Sequence, residues 1–222
     1  MMLVARYACR PGDEAIIFDP VDFLFGRAVD EAGAKRVVKR VDKKTGELDI
    51  EGIKNLISPR TRLFCLCNPH NPLGRVLRRE ELKAISDLVL DHNLIVMNDE
   101  IWSDIVYTGH KHTSLASLGP EIAARTITLQ GFSKTFGLAG LNIGYVVVTD
   151  PEVMRGLKRI APGYFYPLNT VSQAAGTAAY SKAWYWAEAF LRHLEEIRDI
   201  AFERLNEIPG VCCLKPEARA HH

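Results

Sequence analysis

The sequence lacks a block of basic residues and a long apolar run, and both absences narrow the classes of protein to consider. Its 28 Lys and Arg residues nearly balance 27 Asp and Glu residues, for a formal net charge of +1 over 222 residues. That balance offers no electrostatic footprint for a nucleic acid, and no apolar stretch approaches the length of a membrane-spanning helix. The first residues, MMLVAR, lack the apolar core and cleavage site of a secretory signal. The sequence therefore predicts a cytoplasmic protein that binds neither nucleic acid nor a membrane.

Phosphate loops and cysteine clusters are also missing. No Gly-x-Gly-x-x-Gly or Gly-Lys-Ser/Thr motif occurs at a strand end, which argues against a nucleotide-binding domain. The five cysteines are an odd number, and Cys65 and Cys67 would share one face of a strand instead of forming a chelating turn. We expect buried free thiols and no metal site. For His110 and His112, a role in a loop is favoured over chelation.

Apolar strand-like runs alternate with segments of helical periodicity along the chain. Strands are predicted at residues 15–18, 34–38, 63–67, 94–97, 126–129 and 145–148. Helices are predicted at 49–56, where Asp49 is a plausible cap, at 78–92 and at 171–208. This order predicts an α/β fold, a three-layer α/β/α domain with a mostly parallel sheet covered on both faces.

The last residues are predicted to leave this domain. Pro209 and Gly210 end the helical pattern, and residues 211–214 look like the opening strand of a further domain. The predicted organisation is a large domain over residues 1–208 and the start of a smaller C-terminal domain over residues 209–222.

Three polar clusters follow predicted strands, at residues 68–74, 98–100 and 131–137. In an open α/β sheet, ligands bind in the crevice at the carboxyl ends of the strands, so we expect Asn71, Asp99 and Lys134 to lie close together. A pyridine-ring cofactor needs an amine to form an imine, a carboxylate to keep its ring nitrogen protonated, and donors for its oxygen atoms. These three side chains offer such groups. Singly, each also suits an ordinary role as a turn residue, a helix cap or a surface lysine.

Together, the motifs make the chain recognisable. NPLG from Asn71, DEIW from Asp99 and SKTFGLAG from Ser133 resemble, in order and approximate spacing, the class I/II aminotransferase superfamily. These are fold-type I enzymes that use pyridoxal 5'-phosphate (PLP). The strings CNPHNPLGRV and GHKHT look closest to the cystathionine β-lyase-like carbon–sulfur lyase branch. The resemblance covers nearly the whole chain.

The resemblance implies a role for each matching position. Lys134 would hold PLP as a Schiff base and, once released by substrate, would move the proton at the substrate α-carbon. Asp99 would keep the ring nitrogen protonated, and Asn71 would donate to the phenolate oxygen. Ser133 and Gly131 are expected near the phosphate.

Several positions depart from the family pattern. Trp102, expected at the cofactor, stands where many aminotransferases have a tyrosine whose hydroxyl an indole cannot reproduce. Asn142 stands where they commonly have a phosphate-binding arginine. Asp22 falls where an aromatic ring usually stacks on the cofactor, a role that Phe23 would take only after a local shift. The chain is also expected to be truncated at both ends relative to the family.

The resemblance implies a PLP enzyme that acts on an amino acid, by transamination or by β-elimination at a carbon–sulfur bond. The branch favours elimination, whereas the fold as a whole is commoner among transaminases. A homodimer is expected, because fold-type I active sites are completed across a dimer interface. The alternative is a catalytically impaired PLP-binding fragment that does not recognise the substrate carboxylate, and Asp22 and Asn142 favour it.

Overall fold

A six-stranded sheet forms the centre of the computed structural model, which describes residues 1–42, 45–163 and 168–219. The strands are β1 (Glu14–Asp19), β2 (Lys35–Arg40), β3 (Thr61–Cys67), β4 (Ile95–Asp99), β5 (Thr126–Gly131) and β6 (Gly144–Val147). Their spatial order is β2-β1-β3-β4-β5-β6. The first five strands are parallel and β6 runs antiparallel to β5. The predicted mostly parallel sheet is confirmed.

Helices cover both faces of this sheet. They are α1 (Met2–Ala8), α2 (Phe23–Glu31), α3 (Ile50–Lys54), α4 (Arg79–Asp91), α5 (Pro120–Arg125), α6 (Pro151–Ile160), α7 (Thr170–Lys182) and α8 (Trp184–Asn206). Successive strand residues point to opposite faces. Ile17 and Leu63 therefore pack with α1, α2 and α6, while Ile16 and Phe64 pack with α3, α4 and α5. The predicted three-layer α/β/α fold class is confirmed.

Local polar side chains begin several of these helices. Asp22 accepts the Leu24 N–H at 2.9 Å at the start of α2, and Asp150 accepts two N–H groups at the start of α6. The predicted cap Asp49 accepts the Gly52 N–H at 2.8 Å. Such caps satisfy N–H groups that lack a partner within the first helical turn.

One prediction for the C-terminal part is largely confirmed and one is wrong. The helical segment predicted at 171–208 forms two helices, and its long amphipathic stretch from Trp184 to Asn206 is α8; the break falls at Ala183, whose backbone (φ −114°, ψ 13°) leaves the helical region. Residues 211–214 form no strand. They run beside α8, where the Cys213 N–H donates to the Asn206 side chain at 3.1 Å, and no strand of the described residues pairs with them. The first bridge after α8 joins Ala218 to Val106.

Other features bear on the remaining predictions. Within the described ranges, no helix has the length and apolarity that crossing a bilayer requires. Cys9, Cys65 and Cys67 are buried thiols, as predicted, but Cys212 is exposed and Cys213 is half-buried. The division into domains at residue 208 stays a prediction, and residues 220–222 lie outside the described part of the chain.

Candidate active site

A cavity of about 920 Å³ opens at the carboxyl edge of the sheet, where β3, β4 and β5 end. Its walls also include residues of α1, α2 and β6. Asn71, Asp99 and Lys134 all line it, so the predicted grouping of these side chains is confirmed. Trp102 and Ser133 line the same cavity. One opening therefore presents an amine, a carboxylate, an amide and a hydroxyl to a ligand.

Asp99 is the last residue of β4 and is only 8% exposed. Burial, the largest effect, raises the pKa of its carboxyl from 3.8 to about 6, and the charge of Asp22 acts in the same direction. The Ile101 N–H, which donates to Asp99 Oδ1 at 3.0 Å, and the charge of Lys134 act in the opposite direction. A cation placed against this carboxylate would relieve the cost of its burial. The protonated nitrogen of a pyridine ring is such a cation.

Lys134 lies in the turn that follows β5. The backbone N–H groups of Phe136 and Leu138 both donate to the Phe132 carbonyl, at 3.2 and 3.3 Å, and close this turn. The Lys134 ammonium group lies 4.8 Å from the centroid of the Trp102 ring, which is buried. A cation over an indole face is attracted by the ring quadrupole. Trp102 therefore supports the amine with a ring face, where a tyrosine would offer a hydroxyl.

Asn71 is buried in the loop that follows β3. Its amide donates to Asp22 Oδ2 at 3.1 Å, and its backbone N–H donates to Cys67 Sγ at 3.4 Å. The other oxygen of Asp22 caps α2 through the Leu24 N–H. Asp22 thus ties the Asn71 amide to the first turn of α2. Phe23 is 74% exposed and does not line the cavity, so it does not supply the ring that Asp22 replaces.

Gly131 differs from the other predicted site residues because it does not line the cavity. It is the last residue of β5, where it pairs with Gly144 of β6. A side chain there would meet the Ile143 carbonyl at 3.1 Å and the Ile101 side chain at 3.3 Å. The close packing around the end of β5 explains why the smallest residue, glycine, occupies position 131.

Ser133 and Asn142, both of which line the cavity, are neutral hydrogen-bonding groups. The cationic side chains among the described lining residues are Arg27 and Lys134, and Arg27 already pairs with Glu31 at 2.8 Å. The residues therefore fit the amine, ring nitrogen and phenolate requirements of PLP. Toward a phosphate, they offer mainly neutral donors.

Several lining residues could not be predicted from the sequence motifs, among them Gln130 and Tyr145, which lie opposite each other across β5 and β6. The Tyr145 hydroxyl also lies 2.8 Å from the Tyr180 hydroxyl of α7. The alternation of side chains along each strand does not show that Gln130 and Tyr145 are neighbours. The antiparallel pairing of β6 with β5 brings them together only in the folded sheet.

Comparison with known proteins decides the family. The model of the family described as aminotransferase class I and II matches residues 2–220. The chain belongs to this family. The resemblance drawn from the three motifs is thereby confirmed, including its carbon–sulfur lyase branch.

Individual relatives of this aminotransferase-family chain include both lyases and transaminases. It is 35% identical to cystathionine beta-lyase PatB of Bacillus subtilis (strain 168), over 94% of this chain and 55% of that protein. It is 32% identical to an aspartate aminotransferase of Geobacillus stearothermophilus, over 93% of this chain and 52% of that protein. The chain thus spans about half the length of the curated relatives it matches.

A solved structure gives the same result for the aminotransferase-family fold. The PLP-bound putative aminotransferase from Clostridium difficile 630 superimposes with a TM-score of 0.92 at 34% identity. The match covers 98% of this chain and 58% of that one. The roles of single residues toward PLP are not decided by these similarities and stay predictions.

Proposed function

We propose that this aminotransferase-family chain binds PLP covalently through Lys134 and acts on an amino acid, by transamination or by β-elimination at a carbon–sulfur bond. The observation that carries the proposal is that one cavity gathers Lys134, the buried Asp99 and Asn71. Both reactions require a base that removes the proton from the substrate α-carbon, and we assign that role to the Lys134 amine. PLP, when bound, supplies an electron sink for the resulting carbanion.

The proposed roles of the other residues follow from their surroundings. Asp99 would pair with the protonated ring nitrogen, because a buried carboxylate is favoured by an adjacent cation. Asn71 would donate to the phenolate oxygen from an amide that Asp22 orients. Ser133 would donate to the phosphate, and Trp102 would support the ring and the amine.

Lys134 can be tested directly by absorbance. Wild-type protein mixed with PLP should develop the near-ultraviolet or visible band of lysine-bound PLP, and borohydride should fix the cofactor to Lys134, as detected by peptide mass. The Lys134→Ala variant should show neither signal. Lys158→Ala, which removes an exposed lysine of α6, is the matched control and should retain both. A reduced adduct on other lysines, with none on Lys134, would contradict the proposal.

The type of reaction can be separated by its products. β-Elimination from L-cystathionine consumes water and releases homocysteine, pyruvate and ammonia without a second amino-group acceptor, whereas transamination turns over only when a 2-oxo acid is present to accept the amino group. The similarity to cystathionine beta-lyase PatB favours testing elimination first. The Lys134→Ala variant should remove whichever activity is found.

A second candidate function is a PLP-binding chain that does not engage the substrate carboxylate. The observation that favours it is the ion pair of Arg27 with Glu31, which engages the one arginine among the described lining residues. A carboxylate is normally held by a bidentate arginine. Lysine-bound PLP without turnover of L-cystathionine or of any amino acid with a 2-oxo acid would support this candidate.

The remaining expectations are proposals that rest on the family resemblance. We propose that the protein acts as a homodimer in the cytoplasm. We also propose that residues 1–208 form the PLP-binding large domain and residues 209–222 begin a smaller one. Sedimentation of the PLP-loaded protein would test the dimer, since a monomer at micromolar concentration would contradict it.

A further inference from the structure

A buried polar cluster lies next to Asp99 and has no part in the proposed function. It consists of Asn68, Asn98, Glu100 and His112. Asn68 and Asn98 are fully buried, the Glu100 side chain is 5% exposed and the His112 side chain is 13% exposed. Asn98 donates to Glu100 Oε1 at 2.6 Å, so these two neighbours of Asp99 point together, away from the face that Asp99 occupies.

Two backbone groups fix the orientation of the Asn68 amide. Its oxygen accepts the Leu77 N–H at 3.0 Å, and its nitrogen donates to the Thr113 carbonyl at 3.4 Å. One partner only donates and the other only accepts, so the two ends of the amide cannot be exchanged. The amide nitrogen therefore faces His112 Nδ1, 3.4 Å away, as a donor.

This orientation determines the tautomer of His112. A ring nitrogen that accepts a hydrogen bond carries no proton, so the neutral ring carries its proton on Nε2. That Nε2 atom is buried and lies 3.3 Å from Glu100 Oε2, within the distance of an ion pair. The two atoms are not aligned for a hydrogen bond. A small rotation of the ring would align the proton with the carboxylate. His112 thus links an amide on one side to a carboxylate on the other.

Both ends of this link reach the cofactor site. The Asn68 backbone N–H donates to the Asp99 carbonyl at 3.0 Å, and the same residue opens the loop that carries Asn71. Glu100 follows Asp99 directly, and its backbone N–H donates to the Leu129 carbonyl at 3.1 Å, across to β5. A shift of the cluster would therefore move the two segments that present Asn71 and Asp99.

We propose that His112 is a positioning residue of the cofactor site. Through Asn68, its Nδ1 atom holds the loop that carries Asn71, and through Glu100 its Nε2 atom holds the end of β4 that carries Asp99. This inference rests on the proposed function, because it gives His112 a task only where Asn71 and Asp99 hold PLP.

Three substitutions separate the two sides of the ring. The amide nitrogen of His112→Gln reaches approximately the place of Nε2 and keeps a donor for Glu100. The shorter His112→Asn keeps an acceptor near Asn68 but loses the contact with Glu100. His112→Leu removes both contacts. The matched control is Thr126→Val, which removes a buried hydrogen bond to the Ile122 carbonyl (2.8 Å) at the opposite end of β5.

The readouts are the Kd for PLP, the pH midpoint of the absorbance band of lysine-bound PLP, and the Tm of the cofactor-free protein. We expect His112→Leu to weaken PLP binding by roughly tenfold or more, as for other residues that orient a site from behind it. His112→Gln should nearly retain the Kd and shift the midpoint, because Asn71 acts on the phenolate oxygen. His112→Asn should retain the midpoint and weaken the Kd. Thr126→Val should lower the Tm alone.

Other results would overturn the inference. If the Kd for PLP and the pH midpoint are unchanged in all three His112 variants, the inference is overturned and the proposed function still stands. The same holds if Thr126→Val changes the Kd and the midpoint as much as the His112 variants do. Nitrogen-15 spectra of the cofactor-free protein give an independent check, since a proton on Nδ1 of neutral His112 contradicts the tautomer. If the wild-type protein forms no band attached to Lys134, the proposed function fails and the inference fails with it.

Discussion

Replacement of Asp99 by asparagine should stabilise the cofactor-free protein at neutral pH, although it removes a predicted site residue. Asp99 is 8% exposed, and burial raises the pKa of its carboxyl from 3.8 to about 6. Asparagine has nearly the same shape and keeps an oxygen that can accept the Ile101 N–H. The substitution therefore removes a buried charge and retains the local hydrogen bond.

The size of the effect follows from linkage between protonation and folding. The folded protein holds the Asp99 proton more tightly than the unfolded chain, so the contribution of Asp99 to the wild-type free energy of unfolding decreases as pH rises from about 4 to about 6. The difference between pKa values of 3.8 and about 6 corresponds to about 3 kcal/mol. Asp99→Asn should match the wild type below pH 4, and its advantage should reach about 3 kcal/mol above pH 6.

Urea unfolding of the cofactor-free protein at a series of pH values from 4 to 8 would measure this difference. Asp87→Asn is the control, because Asp87 is an exposed partner of Lys83 and its replacement should change the unfolding free energy only slightly. Saturating PLP should reverse the order, since the wild-type carboxylate then gains a cationic partner. An Asp99→Asn variant that is less stable at pH 7, or a difference independent of pH, would refute the reasoning.

Three further substitutions test other parts of the structure by urea unfolding. Burial and the charge of Arg75 lower the pKa of His70 from 6.5 to about 4, so the stability contributed by neutral His70 should be lost, by about 3 kcal/mol, as pH falls from 6.5 to 4. This contribution has the opposite sign to that of Asp99, so it is measured as the difference between the wild type and His70→Phe at each pH; a difference that does not change with pH would contradict it. Phe64→Ala should lower the free energy of unfolding by about 3–5 kcal/mol, because the ring is fully buried against Phe18. A decrease under about 1 kcal/mol would contradict this, since it would mean that neighbouring side chains fill the cavity. Gly74→Ala should lower the free energy of unfolding by about 1–3 kcal/mol, because Gly74 has φ +67° and a Cβ there would lie 2.7 Å from Pro216 Cβ. An unchanged free energy of unfolding would show that the alanine is not strained at this position.

Much of the candidate site could be predicted because its residues follow strands directly. A parallel sheet brings the carboxyl ends of β3, β4 and β5 to one edge, so Asn71, Asp99 and Lys134 meet wherever those strands pair in parallel. The contact of Asn71 with Asp22 could not be predicted, because 49 positions separate the two residues and only the packing of α2 brings them together.

The sequence by itself determined the α/β layering, the family and the edge of the sheet where the site lies. Those properties depend on local periodicity and on side chains next to strand ends, which any parallel arrangement preserves. Only the tertiary structure decided the break at Ala183, the absence of a strand at 211–214 and the place of His112 between Asn68 and Glu100. Each of these depends on which distant groups become neighbours, because a segment forms a strand only beside a partner and a buried histidine contacts whichever polar groups the fold brings to its ring.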